Sequence, residues 1–314
     1  MITRLSRLQA VRRSVRPEGG ACLWLRYRAP YDWRAMVAFL AARCIPGIER
    51  CQGEVYRRSF EWRGRQGIVQ VSPANGAQLR VELSGVAPGA VPALVARLRR
   101  VFGLDAEPAR IQAELGRDAL MAQLLARRPG LRVAQGWDGF EQAMRTVLGQ
   151  QVTVAAAMTL AGRLVQRHGQ PLALAAAGLS HVFPRASAIA GLTLQGLGMP
   201  RARAVTLTTL ANALLASPDL LAPGQASHTA LERLLKLKGI GPWSAQYLAL
   251  RQLGDADALP LGDVALIKAL RVLEGVEADL AHRAQAWRPW RAYAAQHLWT
   301  SLSDLRPPVA SQAQ

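Results

Sequence analysis

A chain of 314 residues, half of them apolar and 19% charged, has the composition of a folded globular protein rather than a disordered or fibrous one. Its formal net charge of +18 rests on arginine, since Lys236, Lys238 and Lys268 are the only lysines; this argues for a polyanionic partner, although an arginine-rich genomic bias gives the same count. The longest apolar run, residues 152–162, falls short of the ~18 residues of a membrane span, and Cys22, Cys44 and Cys51 have neither the spacing of a zinc site nor the number for a disulfide framework or a four-cysteine iron–sulfur centre. A reducing, cytoplasmic compartment and no membrane partner are expected.

Residues 1–21 form a basic arm with Arg4, Arg7, Arg12, Arg13 and Arg16, and no acidic residue precedes Glu18. Without an apolar stretch it is not a secretory signal. An unordered arm is expected; a transit peptide, a fusion remnant or a partner-binding tail fits the same composition. From residue 22 to 27 apolar residues alternate as in a strand. Asp32 is placed to cap a helix over 33–44, which Pro46 and Gly47 end. Strand patterns follow at 54–62, 66–71 and 78–83, separated by Arg63-Gly64-Arg65 and Pro73-Ala74-Asn75-Gly76, the turn chemistry of consecutive hairpins. A helix over 92–102 closes a small α+β domain, residues 22–108, of one antiparallel sheet with two helices.

Beyond it the strand pattern stops. Helices are expected at 109–115, 118–127, 137–148, 153–168, 172–178, 184–190, 193–196, 201–215, 231–237, 243–253, 264–270 and 278–301, with short Gly/Pro breaks between most of them, which describes an all-α body. Within it, Gly239-Ile240-Gly241 stops one helix and Pro242 suits the first turn of the next. Such a glycine hairpin lets another molecule approach the backbone closely, and the N–H groups at the helix start form an anion site suited to phosphate. Lys236, Lys238 and Arg251 could assist it or could form a solvated helix face. Further on, Leu259-Pro260-Leu261-Gly262 leads to Asp263 and then to an apolar run. Taken alone, Asp263 is best read as a helix N-cap. Trp243 and Tyr247, four apart on one helix face, taken alone are core.

The hairpin followed by this carboxylate resembles the helix–hairpin–helix DNA glycosylase superfamily. Other stretches resemble one family within it, the AlkA-type DNA-3-methyladenine glycosylases (glycosylase II). These are Ala29-Pro30-Tyr31-Asp32-Trp33, Phe39-Leu40-Ala41-Ala42-Arg43, Arg128-Pro129-Gly130-Leu131-Arg132, Phe140-Glu141, Leu148-Gly149-Gln150-Gln151-Val152, Leu197-Gly198-Met199-Pro200, Trp287-Arg288-Pro289-Trp290-Arg291-Ala292-Tyr293 and His297-Leu298-Trp299. The resemblance spans residues 22–301 in the family's order. It implies two helical lobes behind the α+β domain: residues 109–137 with 256–303, carrying the catalytic Asp, and residues 138–255, carrying the hairpin. A tail, residues 304–314, follows.

The resemblance also implies the chemistry. Asp263 would be the catalytic carboxylate, and Phe39, Trp243, Tyr247 and Trp299 the base pocket, whose aromatic faces would attract the positive charge of bases such as 3-methyladenine and 7-methylguanine. Gly239, Ile240, Gly241 and Lys238 would hold the DNA backbone, and Gln151 would plug the vacated stack, where the family often has an aliphatic wedge. Relatives that also cut the strand carry a lysine where this chain has Trp243, which implies a monofunctional enzyme. Val264 and Thr300 stand where the family can have tyrosine, which leaves a less aromatic pocket. Relatives hold a cation on hairpin carbonyls, here those of Leu235, Leu237 and Ile240; no cofactor is required. His168, His181, His228, His282 and His297 form no metal-binding cluster, and His297 is expected to be buried and structural. The expected partner is double-stranded DNA with alkylated bases, bound by a monomer. The alternatives are a non-catalytic binder of damaged DNA and a glycosylase for deaminated or etheno bases.

Overall fold

The computed structural model describes residues 12–16 and 20–304. The chain opens with β1 (Arg12–Arg16) and β2 (Gly20–Arg26), passes through helix α1 (Trp33–Ala41), and continues with β3 (Glu49–Gln52), β4 (Val55–Trp62), β5 (Arg65–Ala74) and β6 (Gln78–Ser84). The strands form one antiparallel sheet in the order β1-β2-β6-β5-β4-β3. Every second residue of β6 and of the middle of β5, including Val69, Val71, Leu79, Val81 and Leu83, is buried, the period of two that a half-covered sheet requires. Arg63 and Gly64 both take positive φ at the β4–β5 turn, the conformation whose twist matches that of a hairpin. Asp32 Oδ1 caps α1 by accepting from the Ala35 N–H at 2.9 Å. Helix α2 (Val91–Val101) lays Val91, Leu94, Leu98 and Val101 on the sheet's apolar core.

Two strands escape the sequence pattern. Residues 12–16 pair with β2 from Arg12↔Trp24 to Arg16↔Gly20, so the unordered arm does not extend over them; Arg4 and Arg7 lie outside the described residues. β3 reads Glu-Arg-Cys-Gln and has no apolar alternation to betray it; it is held by its pairing with β4.

The body that follows consists of α3 (Pro108–Leu115), α4 (Ala119–Arg127), α5 (Gly139–Leu148), α6 (Val154–His168), α7 (Ala186–Ile189), α8 (Arg201–Ala216), α9 (Ser227–Leu235), α10 (Pro242–Leu248), α11 (Val264–Glu274), α12 (Leu280–Arg283) and α13 (Arg291–Asp304). It is helical but not wholly so. The segment at 172–178, rich in good helix formers, is the hairpin β7 (Gln170–Ala176) and β8 (Leu179–Val182). Tertiary contact overrides propensity there: Gln66 of β5 donates to Pro171 O at 2.9 Å and accepts from the Ala173 N–H at 2.7 Å. Residues 193–196 are irregular. The expected helix over 278–301 is broken into α12, a tight turn at Ala284–Trp287, and α13, with Pro289 in the gap. One apolar core runs through both lobes, joining Met144 and Leu210 to Leu124, Leu270 and Leu298. Among the described residues no helix is long and apolar enough to cross a membrane.

Candidate active site

A cleft of about 1250 Å³ opens where the sheet domain meets the helical body. Asp263 sits at its edge, half-buried, and does two jobs at once. It caps α11, with Oδ1 accepting from the Ala265 N–H at 3.0 Å and the Leu266 N–H at 2.9 Å. It is also gripped by two indoles: Trp299 Nε1 donates to Oδ1 at 3.0 Å and Trp243 Nε1 to Oδ2 at 3.0 Å. Oδ1 thus takes three donors and Oδ2 takes one. The carboxylate is fixed in direction, and Oδ2 keeps accepting capacity toward the cleft.

The four expected pocket rings come together here from three elements. Trp243 and Tyr247 are on α10, Phe39 on α1 and Trp299 on α13. Trp243 and Tyr247 stack with centroids 5.1 Å apart and planes at 11°, and Tyr247 meets Trp299 edge-on at 6.1 Å. Val264, the residue beside Asp263, lines the mouth of the cleft and is 79% exposed.

The centre of this cage is a side chain first considered as an aid to phosphate binding. Arg251 is 3% exposed. Its guanidinium carbon lies 4.5 Å from the Phe39 ring centre, 5.0 Å from Trp299 and 5.7 Å from Tyr247. Nη1 donates to Ala134 O and Gln296 Oε1, both at 3.1 Å, and Nε is buried without a partner. Residues 249–253 widen into a π turn that ends at Gly254 with φ 75, and Arg251 projects from it. Arg43 lies over the same Phe39 ring at 3.9 Å. Burial alone would raise the Tyr247 phenol, but Arg251 and Arg43 outweigh it and hold it below its ordinary value. Position 251 is four residues past Tyr247, as Tyr247 is four past Trp243; extending that stripe by one step was the signal available in the sequence.

The hairpin lies beside the cage. Gly239 has φ 88, and a Cβ there would overlap the Thr206 hydroxyl, so both conformation and space demand glycine. Gly239, Gly241 and Lys238 are exposed, as is Lys236, while Ile240 is buried. The Ile240 N–H is spent inside the turn on Leu237 O at 3.1 Å, so Ile240 anchors the hairpin to the core and the glycine backbone faces outward. Gln151 is exposed at the tip of the loop between α5 and α6, with φ 55. Its neighbour Gln150, which the sequence did not single out, ties the two loops together: Nε2 donates to Gly239 O at 3.0 Å and Ser244 Oγ at 2.9 Å. Arg203 holds the Gln150 carbonyl at 2.6 Å.

The opposite wall is ionic. Arg58 donates to Glu141 at 2.6 Å and Glu49 at 3.5 Å, and Arg145 bonds the same two carboxylates, reaching Glu141 at 2.7 Å. Tyr56 completes Glu49 at 2.7 Å. Burial opposes ionisation of Glu141, but Arg58 and Arg145 prevail and bring it down to about 2. The histidines are scattered, and no cluster of His, Cys, Asp or Glu suited to a metal occurs among the described residues. His297 is buried, and burial lowers it to about 4.

With this geometry in view, four likenesses become informative. Residues 22–138 match the sequence model of the AlkA N-terminal domain. The chain is 37% identical over 279 residues to the DNA-3-methyladenine glycosylase 2 of Escherichia coli K12, covering 88% of this chain and 95% of that protein. It is also 37% identical over 288 residues to a probable bifunctional transcriptional activator/DNA repair enzyme AlkA of Mycobacterium tuberculosis, covering 90% of this chain but only 58% of that protein's length. Among solved structures, the 3-methyladenine DNA glycosylase of Archaeoglobus fulgidus superposes with a TM-score of 0.77 over 88% of this chain and 96% of its own, at 22% identity. That last likeness is one of fold.

Proposed function

The chain belongs to the AlkA-type DNA-3-methyladenine glycosylase family, and from that membership we propose that it is a monofunctional DNA glycosylase. It would flip alkylated bases such as 3-methyladenine and 7-methylguanine out of duplex DNA and hydrolyse their bond to the sugar, leaving an abasic site. The observation that carries the reading is Asp263 held by Trp243 and Trp299 at the edge of an aromatic cleft, next to an exposed glycine hairpin.

Each part then has a task. The base is inaccessible within the stack, so the enzyme must extrude it at a cost of a few kcal/mol, less for a damaged base. Gly239 and Gly241, with Lys238 beside them, would hold the phosphates without reading sequence. Gln151, at the exposed loop tip, would fill the vacated stack and hydrogen-bond to the orphaned partner base. Departure of the base leaves an oxocarbenium-like sugar, whose positive charge Asp263 Oδ2 would stabilise while orienting the attacking water. Trp243 stands where strand-cutting relatives have a lysine nucleophile, which leaves water as the nucleophile.

The family implies a cation at the hairpin. The donor set would be the uncharged carbonyls of Leu235, Leu237 and Ile240, hard oxygens that suit a monovalent or similar ion. The Leu237 carbonyl takes one hydrogen bond from Ile240, which leaves a lone pair for such an ion. Bound there, it would add positive charge facing the phosphate. One flipped base needs one copy of the chain, so a monomer is the working form.

The test is release of free base from methylated duplex DNA by wild type and Asp263→Asn. The wild type should free 3-methyladenine and leave alkali-labile sites without nicks, and the variant should bind DNA but free almost none. A wild type that binds DNA and releases no alkylated, deaminated or etheno base would instead be a damage binder.

A further inference from the structure

A cage of aromatic rings that selects a cationic base by charge needs open π faces. Here guanidinium groups already lie over three of the four rings. Phe39 carries two guanidinium groups, Arg43 at 3.9 Å and Arg251 at 4.5 Å; Trp299 and Tyr247 carry Arg251, and Tyr247 is also stacked on Trp243. Of the four rings, Trp243 alone has no guanidinium over it among the described residues. Burial disfavours the charge on Arg251; of its neighbours, Tyr247 supports that charge, in part through a hydrogen bond, Arg43 repels it, and Asp263 attracts it. The ionic wall adds nothing net, because its two arginines are matched by Glu49 and Glu141. The cage therefore holds two guanidinium groups against one carboxylate before any base arrives.

We infer that Arg251 is a specificity-determining residue: it is the cage's own cation, and it biases the pocket toward neutral purine rings over positively charged ones. A base cation brings a third positive charge into a desolvated site and finds the ring quadrupoles engaged. Cationic lesions would then be excised because they leave easily, in spite of their binding and not because of it.

This inference rests on the excision reading for its kinetic part only, so two measurements separate the two. The first compares excision of 7-methylguanine with that of hypoxanthine from the same duplex by wild type, Arg251→Met and Arg251→Lys. The methionine variant should shift the ratio at least about tenfold toward the cationic base, and lysine should keep the wild-type ratio. An unchanged ratio in a folded methionine variant overturns the inference. The second follows quenching of tryptophan fluorescence as wild type is titrated with hypoxanthine or with the 7,9-dimethylguaninium ion. The neutral ring should bind at least about tenfold more tightly; equal affinity overturns the inference without any variant, and does so whether or not the protein frees bases. No base release with the neutral preference intact would sink the glycosylase reading alone.

Discussion

The two walls of the cleft both bury charge, and they dispose of it in opposite ways. On the sheet side, Glu49, Arg58, Glu141 and Arg145 neutralise one another completely, with Tyr56 filling a remaining acceptor. On the hairpin side, Asp263 is held by N–H groups that carry no charge, two from backbone and two from indoles, and Arg251 is held by rings and carbonyl oxygens. A charge cancelled by its neighbours stabilises a joint but has nothing left for a substrate. A charge oriented by neutral dipoles keeps its field, which is what stabilisation of a developing cation demands. The comparison thus separates a structural wall from a chemical one without reference to sequence likeness.

Removing one carboxylate from each wall should therefore give opposite phenotypes. Asp263→Asn should cut base release by about 10²–10⁴-fold. It keeps an acceptor for the cap, but its Nδ2 then faces the Trp243 N–H, donor against donor, so a small loss of stability accompanies the large loss of activity. Glu141→Gln should do the reverse. It leaves Arg58 and Arg145 sharing one glutamate in a buried place, at a cost of about 3–5 kcal/mol. Thermal unfolding should show the drop, while activity per folded molecule stays near wild type. A Glu141→Gln protein that is stable but inactive would erase the distinction between the walls.

How much of this was legible beforehand follows the same division. The hairpin, Asp263 and the four rings could be found because local pattern and family resemblance converge on them. Four of the sheet's strands, β2, β4, β5 and β6, could be read from their alternation. The ionic wall could not: Glu49 and Arg58 sit in strands, Glu141 and Arg145 on α5, and only the fold brings them within bonding distance. β3 was invisible for the same reason, and β7 was misread because leucine and alanine signal helix until Gln66 captures the backbone. Arg251 was seen as one more basic residue near a phosphate site, since a sequence shows charge but not burial.

His297 offers a third disposal of a buried titratable group, which is to leave it uncharged. On α13 two residues before Trp299, it is 3% exposed, and burial lowers it from 6.5 to about 4. Between those values the unfolded chain binds a proton that the folded chain refuses, so stability falls as pH drops from 6.5 toward 4, by about 3 kcal/mol in all. Glu141 contributes at lower pH, between its ordinary 4.5 and about 2. Denaturant midpoints of wild type and His297→Gln, compared at pH 7 and pH 4.5, should converge as the pH falls. Parallel loss in both proteins would assign the acid sensitivity elsewhere.

The smallest expected effect concerns the link between the walls. Gln150 lies two residues past the end of α5, the helix of Glu141 and Arg145, and its amide reaches across to the hairpin through Gly239 O and Ser244 Oγ. Neither bond involves a charge, so each is worth about 0.5–1.5 kcal/mol. Gln150→Ala should lower kcat/KM for base release by roughly tenfold, the factor that about 1.4 kcal/mol represents, while leaving the unfolding midpoint nearly unchanged because the site is partly open to water. Gln150→Glu sharpens the point: it keeps an acceptor for the Ser244 hydroxyl but sets a carboxylate against the Gly239 carbonyl and beside the phosphate site. Its loss should exceed that of alanine and grow as salt is lowered. If alanine and glutamate behave alike at all salt concentrations, the two walls act independently, and the loop tip bearing Gln151 is positioned by α5 and by the bond from Arg203 to the Gln150 carbonyl.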